Sequence, residues 1–214
     1  MTTLCISGAC SRSGKTALAA TILRALPPGT ATALKFTTTE DVFERCPRGT
    51  ACVVCDIDVP FRILDAEKTL REPGTDTDRL AQAGAASVLW VIAKSSAVAA
   101  AWDAVRSRLA AGPVVIEGST VVDLAGPDVL LFVVHPFLAP ARWKPTSAAL
   151  LRRADAVIVN RPSAESRPPS EEVMAEIARH RMLADVRVAD VTLPLSTWAP
   201  DLHEKVLHAN LARA

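Results

Sequence analysis

Hydrophobic and polar positions divide the chain into two alternating kinds of segment. Short apolar runs rich in β-branched residues predict strands at Thr3–Ser7, Thr32–Phe36, Ala51–Ile57, Ser87–Ala93, Pro113–Glu117, Val129–His135, Ala156–Asn160 and Val186–Leu193. Segments between them carry apolar residues at helical spacing and predict helices at Lys15–Leu26, Asp76–Gly84, Ala97–Ala111, Ser147–Ala154, Glu171–Arg181 and Asp201–Ala212. Ser170 before Glu171 and Glu172 supplies one helix with an N-cap and an acidic first turn. Most of the strand runs are apolar throughout, as in strands buried on both faces. The pattern predicts an α/β fold, one domain over residues 1–214, with a mostly parallel central sheet of about seven or eight strands and helices on both faces. The proline-rich stretch 161–169 reads as a surface loop within that domain.

The first strand, loop and helix carry the strongest chemical signal. Ala9-Cys10-Ser11-Arg12-Ser13-Gly14-Lys15-Thr16 follows an apolar run and opens a helical stretch. This is the setting of a phosphate-binding P-loop, where a sharp turn and a helix start aim backbone N–H groups at one point. On this reading Ser11, Arg12, Ser13 and Gly14 surround the phosphates of a nucleoside triphosphate, Lys15 reaches the β- and γ-phosphates, and the Thr16 hydroxyl ligates Mg²⁺. Ala9 stands where the pattern has its first glycine, which alanine tolerates if its φ is negative.

Ligands of open parallel sheets lie beyond the carboxyl ends of the strands, so polar residues ending the other runs are the next candidates. Lys35 ends the second run and would hold an acceptor anion. Glu117 is the expected second Mg²⁺ partner, direct or through water, with Asp56 competing for that role; the alternative for Glu117 is capping a neighbouring helix. Asp58 is either a further strand-end carboxylate or a solvated loop residue. Asn160, followed by Arg161 and Pro162, would read the base. No aspartate follows to bind guanine, and an asparagine amide matches the N6 and N7 pattern of adenine, so ATP is favoured over GTP without excluding it. The other role for Asn160 is to satisfy backbone groups at the loop start. In the turn Glu72-Pro73-Gly74-Thr75-Asp76-Thr77-Asp78-Arg79, Asp76 and Arg79 either meet a second ligand or serve the helix as cap and i,i+3 pair.

Taken together, the Lys15-Thr16 loop, Lys35 with its polar sequel, the Pro73-Gly74 turn with Asp76, Arg79 and Ala83-Gly84-Ala85, and Val115-Ile116-Glu117-Gly118 resemble the molybdopterin-guanine dinucleotide biosynthesis adapter family over about the first 120 residues. Glu117-Gly118 and Asn160 also resemble dethiobiotin synthetase. Thr37-Thr38-Thr39 stands where the adapter family carries histidines. The resemblance implies a homodimeric P-loop nucleotide-binding protein whose partner is either a small-molecule substrate or a cofactor-biosynthesis enzyme.

Composition narrows the classes. With 24 basic and 23 acidic side chains and no basic cluster, a nucleic-acid footprint is not expected. No apolar run approaches the roughly 20 residues of a membrane span, and no leader pattern precedes the first strand, so the expected compartment is the cytoplasm. Cys46, Cys52 and Cys55 could ligate Zn²⁺ or an iron–sulfur cluster but lack an evident fourth ligand, and buried thiols are the plainer reading. Cys10, at a helix N-terminus, is expected to have a lowered thiol pKa. His135 stands at a cleft or at the core edge, and Lys144 either meets an anion or is solvated. No Ser/His/Asp or Cys/His constellation is evident, so the expected chemistry is that of an Mg²⁺-dependent ATP- or GTP-binding NTPase, kinase or synthetase, with Lys15, Lys35 and Glu117 as its catalytic groups; the alternative is a nucleotide-binding adapter that hydrolyses slowly or not at all.

Overall fold

Among the described residues, eight strands form one sheet in the order β3-β4-β2-β5-β1-β6-β7-β8. They are β1 (Thr3–Gly8), β2 (Thr32–Thr39), β3 (Phe61–Leu64), β4 (Ser87–Lys94), β5 (Val114–Glu117), β6 (Val129–Val134), β7 (Ala156–Asn160) and β8 (Val186–Ala189). All neighbours run parallel except β3, which pairs antiparallel with β4. The computed structural model describes residues 2–39 and 57–211. The strand expected at Ala51–Ile57 lies outside them apart from Ile57, as do Asp56 and Cys46, Cys52 and Cys55.

The central strands β1 and β6 are buried at every position, which is why their runs are apolar with no alternation. Leu4, Ile6, Ala33, Val115, Leu131, Val133 and Ile158 face one apolar cluster, covered by α1 (Lys15–Ala25), α3 (Asp76–Gln82), α8 (Leu195–Trp198) and α9 (Pro200–Leu211). Cys5, Leu34, Phe36, Ile116, Phe132 and Val157 face the other, covered by α4 (Val98–Arg106), α5 (Val122–Ala125), α6 (Ser147–Arg153) and α7 (Glu171–Ala178). Strand alternation therefore assigns Lys35 and Glu117, two residues after Ala33 and Val115, to the α1/α3 face. No helix among the described residues is long and apolar enough to cross a membrane.

Several boundaries differ from the sequence pattern for local reasons. The strand expected to run to Leu193 stops at Ala189 because the Asp190 carboxylate bends the chain. One of its oxygens accepts from the Thr192 N–H (3.0 Å) and hydroxyl (2.6 Å), the other from the Ser163 N–H (2.7 Å) and hydroxyl (2.8 Å). The helix expected to reach Ala111 ends at Arg106, after which the N–H groups of Arg108 and Leu109 bond three residues back. β2 runs on to Thr39 because its threonines pair with β4 as far as Lys94. The edge strand β3, and the single-turn helices α2 (Glu67–Leu70), α5 and α8, are too short to print a period on the sequence.

Phe132, on β6, is fully buried beneath the second helical layer. Phe132→Ala is expected to cost about 3–5 kcal/mol by removing that contact area and leaving a cavity. Chemical denaturation monitored by circular dichroism measures the loss.

Candidate functional site

The order in which the chain adds strands reverses at β1. The connection from β1 through α1 leads to β2 on one side, whereas that from β6 through α6 leads to β7 on the other and over the opposite face. A crevice opens at the carboxyl ends where such paths diverge, and the loop of residues 9–14 lies there.

That loop is held from beneath by backbone. Ala9 N–H donates to the Val133 carbonyl (3.1 Å), and the Ala9 carbonyl accepts from Lys144 N–H (2.8 Å). Arg12, with φ 61°, is the one non-glycine residue of positive φ among the described residues, so Ala9 meets the condition for replacing glycine. Gly14 has φ 105°, and a Cβ on it would lie 2.2 Å from Asn160 Nδ2. The positive φ favours glycine, and a Cβ would also displace the Asn160 amide. α1 begins immediately afterwards with no side-chain cap, leaving its first-turn N–H groups free to face an anion.

Lys15 folds back across this loop, its Nζ donating to the Cys10 carbonyl (2.8 Å) and toward Ser13 Oγ (3.5 Å). Burial, aided by the Lys35 charge, pushes the Lys15 pKa down against the pull of Glu117 and Cys10. Ser13 is buried, while Ser11 and Arg12 are exposed. Cys10 corrects the expectation of an activated thiol. It is buried, and desolvation raises its pKa despite the opposing charges of Lys15, Lys144 and Arg142.

On the α1/α3 face, four side chains converge. The Thr16 hydroxyl donates to Glu117 Oε2 (2.9 Å), Glu117 Oε1 lies 3.6 Å from Lys35 Nζ, and Lys35 forms an ion pair with Asp76. Register accounts for the first contacts, since Glu117 pairs with Ile6 of β1 and with Lys35 of β2. Asp76 enters from the first turn of α3, whose cap is Thr75 accepting from Asp78 N–H (3.2 Å). Burial opposes the ionised Asp76, but the Lys35 charge and hydrogen bond, with Thr16 and Arg79, outweigh it and hold the carboxyl below its ordinary range.

Glu117 thus serves α1 through the Thr16 side chain rather than as a backbone cap. Asp58 is exposed and paired with Arg62 (2.6 Å), outside the cluster. Asp76 is the second carboxylate of this cluster; the sequence offered it either a ligand contact or a helix-cap role. Two carboxylates and a hydroxyl are hard oxygen donors suited to Mg²⁺, which keeps waters and takes its remaining ligands from phosphate oxygens. They do not make an autonomous metal centre, and no group of three or more His, Cys, Asp or Glu side chains able to hold a metal occurs among the described residues.

The opposite end of the loop meets a second element. Asn160 Nδ2 donates to the Ser13 carbonyl (3.2 Å), and its Oδ1 accepts from Val191 N–H (3.4 Å), tying β7 to the loop. One amide hydrogen and one lone pair remain. Arg161 continues the pairing through its N–H to the Ala189 carbonyl (2.9 Å). Beyond lies a cleft of about 290 Å³ lined by Arg12, His135, Pro136, Phe137, Asn160, Pro162 and Glu165. His135 belongs to this cleft, its Nδ1 accepting from Phe137 N–H (3.1 Å) and its pKa lowered by burial. Arg167 caps the Phe137 ring at 4.5 Å while bound to Glu165.

Compared with known proteins, the chain matches no protein-family model and no curated protein.

The pairing of Asp76 with Lys35 sets an acid limit. Because the folded-state carboxyl titrates below its unfolded value, its stabilisation is complete above the unfolded pKa and is lost as pH falls through the folded one. Asp76→Asn is expected to lower the unfolding temperature at pH 7. The gap to the unaltered protein should narrow below about pH 4, as read by thermal melts across that range.

Proposed function

We propose that this protein is a P-loop NTPase-type enzyme that binds a nucleoside triphosphate with Mg²⁺ at the β1–α1 loop and transfers the terminal phosphoryl group to a small anionic metabolite. The observation that carries the reading is the convergence of Lys15, Thr16, Lys35 and Glu117 around one uncapped helix start at the sheet's switch point.

The groups divide by task. The loop N–H groups and Lys15 bind the phosphate chain. Thr16, Glu117 and Asp76 would hold Mg²⁺, which neutralises charge on the phosphate oxygens when bound. Lys35, already poised between two carboxylates, exchanges the Asp76 contact for the anionic end of the acceptor and so orients it. The new bond forms between an acceptor oxygen and the γ-phosphorus as the bond from that phosphorus to the β-bridging oxygen breaks, leaving the diphosphate. Burial of Glu117 and of the Lys15 head strengthens these charges by excluding water.

The cleft beside Arg12 supports a place for the base. It begins at the loop, is walled by Phe137 and Pro162, and presents the unused amide hydrogen and lone pair of Asn160. Because Asn160 also holds Ser13, its replacement by alanine should weaken phosphate binding as well as base preference.

Isothermal titration with Mg·ATP and Mg·GTP tests the reading. The protein should bind at least one of them, and Lys15→Ala should abolish measurable binding; equal affinity of the variant would refute the assignment. Product analysis with pooled cell metabolites then separates enzyme from adapter. Stimulated nucleotide turnover with a phosphorylated product is expected, whereas slow turnover indifferent to every metabolite favours a nucleotide-binding adapter in cofactor biosynthesis.

A further inference from the structure

Lysine is scarce in this chain, with six residues against 18 arginines, and three of the six meet at the loop. Lys15 and Lys35 arrive by way of the first two strands. Lys144 comes from the segment between β6 and α6, a part of the sequence with no phosphate-binding pattern. Its position is nevertheless fixed by backbone: Lys144 N–H donates to the Ala9 carbonyl (2.8 Å), and Ser147 at the start of α6 donates toward the same oxygen (3.5 Å). The loop and the Lys144 segment are thereby one unit.

Lys144 is exposed as a residue, but its ammonium turns inward to Ser119 Oγ at 3.5 Å. Ser119 is buried, and its hydroxyl is held by the Ser7 hydroxyl (2.8 Å) and toward Gly8 N–H (3.4 Å). No carboxylate among the described residues forms an ion pair with Lys144, in contrast to Lys35, which has two. The titratable and charged groups facing it are Lys15, Cys10 and Glu117. Desolvation, reinforced by Lys15, brings its pKa down to about 8. A partly dehydrated cation beside another cation, with no carboxylate within ion-pair distance, costs stability and is an arrangement that an added anion relieves.

Lys35 and Lys144 also approach from opposite faces of the sheet. Lys35 shares the α1/α3 face with Thr16, Asp76 and Glu117, whereas α6 packs on the other face through Leu150 and Leu151. We propose that Lys144 is a second phosphate-binding lysine, holding the terminal phosphate oxygens on the side of the loop opposite Lys35 and Asp76. The inference rests on the triphosphate-binding reading above and adds to it a residue and a dependence on pH.

The test compares the full chain with Lys144→Gln and Lys144→Arg, using inorganic triphosphate, Mg·ATP and AMP as probes in calorimetry at pH 7 and pH 9, alongside thermal melts without ligand. At pH 7, Lys144→Gln should weaken triphosphate and Mg·ATP binding about tenfold, the scale of one charge-assisted hydrogen bond, and leave AMP unchanged. Its unfolding temperature without ligand should equal or exceed that of the unaltered protein, since an uncompensated cation is removed; a structural lysine would lose stability along with affinity. Affinity of the unaltered protein for Mg·ATP should fall from pH 7 to pH 9, and that of Lys144→Arg should fall less over the same range. Unchanged triphosphate affinity in Lys144→Gln, or a loss of stability that accounts for its weaker binding, overturns the inference while leaving nucleotide binding intact. Failure of the unaltered protein to bind any triphosphate overturns the underlying reading and this inference with it.

Discussion

The buried Glu117 carboxylate is the constraint around which the rest of the site is arranged. A negative charge at the end of a central strand cannot remain without compensation. Here one oxygen accepts from Thr16 at the start of α1 and the other faces Lys35 from β2. These contacts orient the helix that closes the loop and the Lys35 side chain. Lys35 in turn recruits Asp76 and so fixes α3 against the strand ends. One carboxylate thereby couples three elements that the chain visits far apart.

Charge is unevenly distributed around the loop. The α1/α3 side offers two carboxylates, a hydroxyl and the lysine between them, a set suited to an oxygen-seeking divalent cation that arrives with phosphate. The β6–α6 side offers a cation without a carboxylate partner. Between them lie the uncapped start of α1 and the Lys15 head. An anion with one metal-bound side and one metal-free side complements this layout, and that complementarity unites the proposed reaction with the proposed role of Lys144.

The parts legible in the sequence were those whose cause is local. The strand–loop–helix context of Lys15 and Thr16 and the polar residues Lys35 and Glu117 could be read directly, although β2 runs on past Lys35 to Thr39, as could the α/β alternation and the parallel sheet. The link from Lys35 to Asp76 was hidden because it spans 41 residues and joins two elements whose packing no periodicity records. Lys144 gave a cation but not a position, which depends on its N–H finding the Ala9 carbonyl. For Cys10 the local rule of helix N-termini pointed to an activated thiol, yet burial decides its pKa. Asn160 illustrates a shared role: its amide ties Ser13 to Val191 while retaining capacity for one donor and one acceptor contact.

The central claim, that this loop is built for a triphosphate held with Mg²⁺, is tested most directly by a crystal structure grown with Mg²⁺ and non-hydrolysable analogues of ATP and GTP. The account predicts the phosphate chain against residues 9–16, with the cation on the side of Thr16 and Glu117 and the base toward Phe137 and Asn160. An analogue bound at another place, or a loop still closed by the Lys15 contact to the Cys10 carbonyl at saturating analogue, would contradict it.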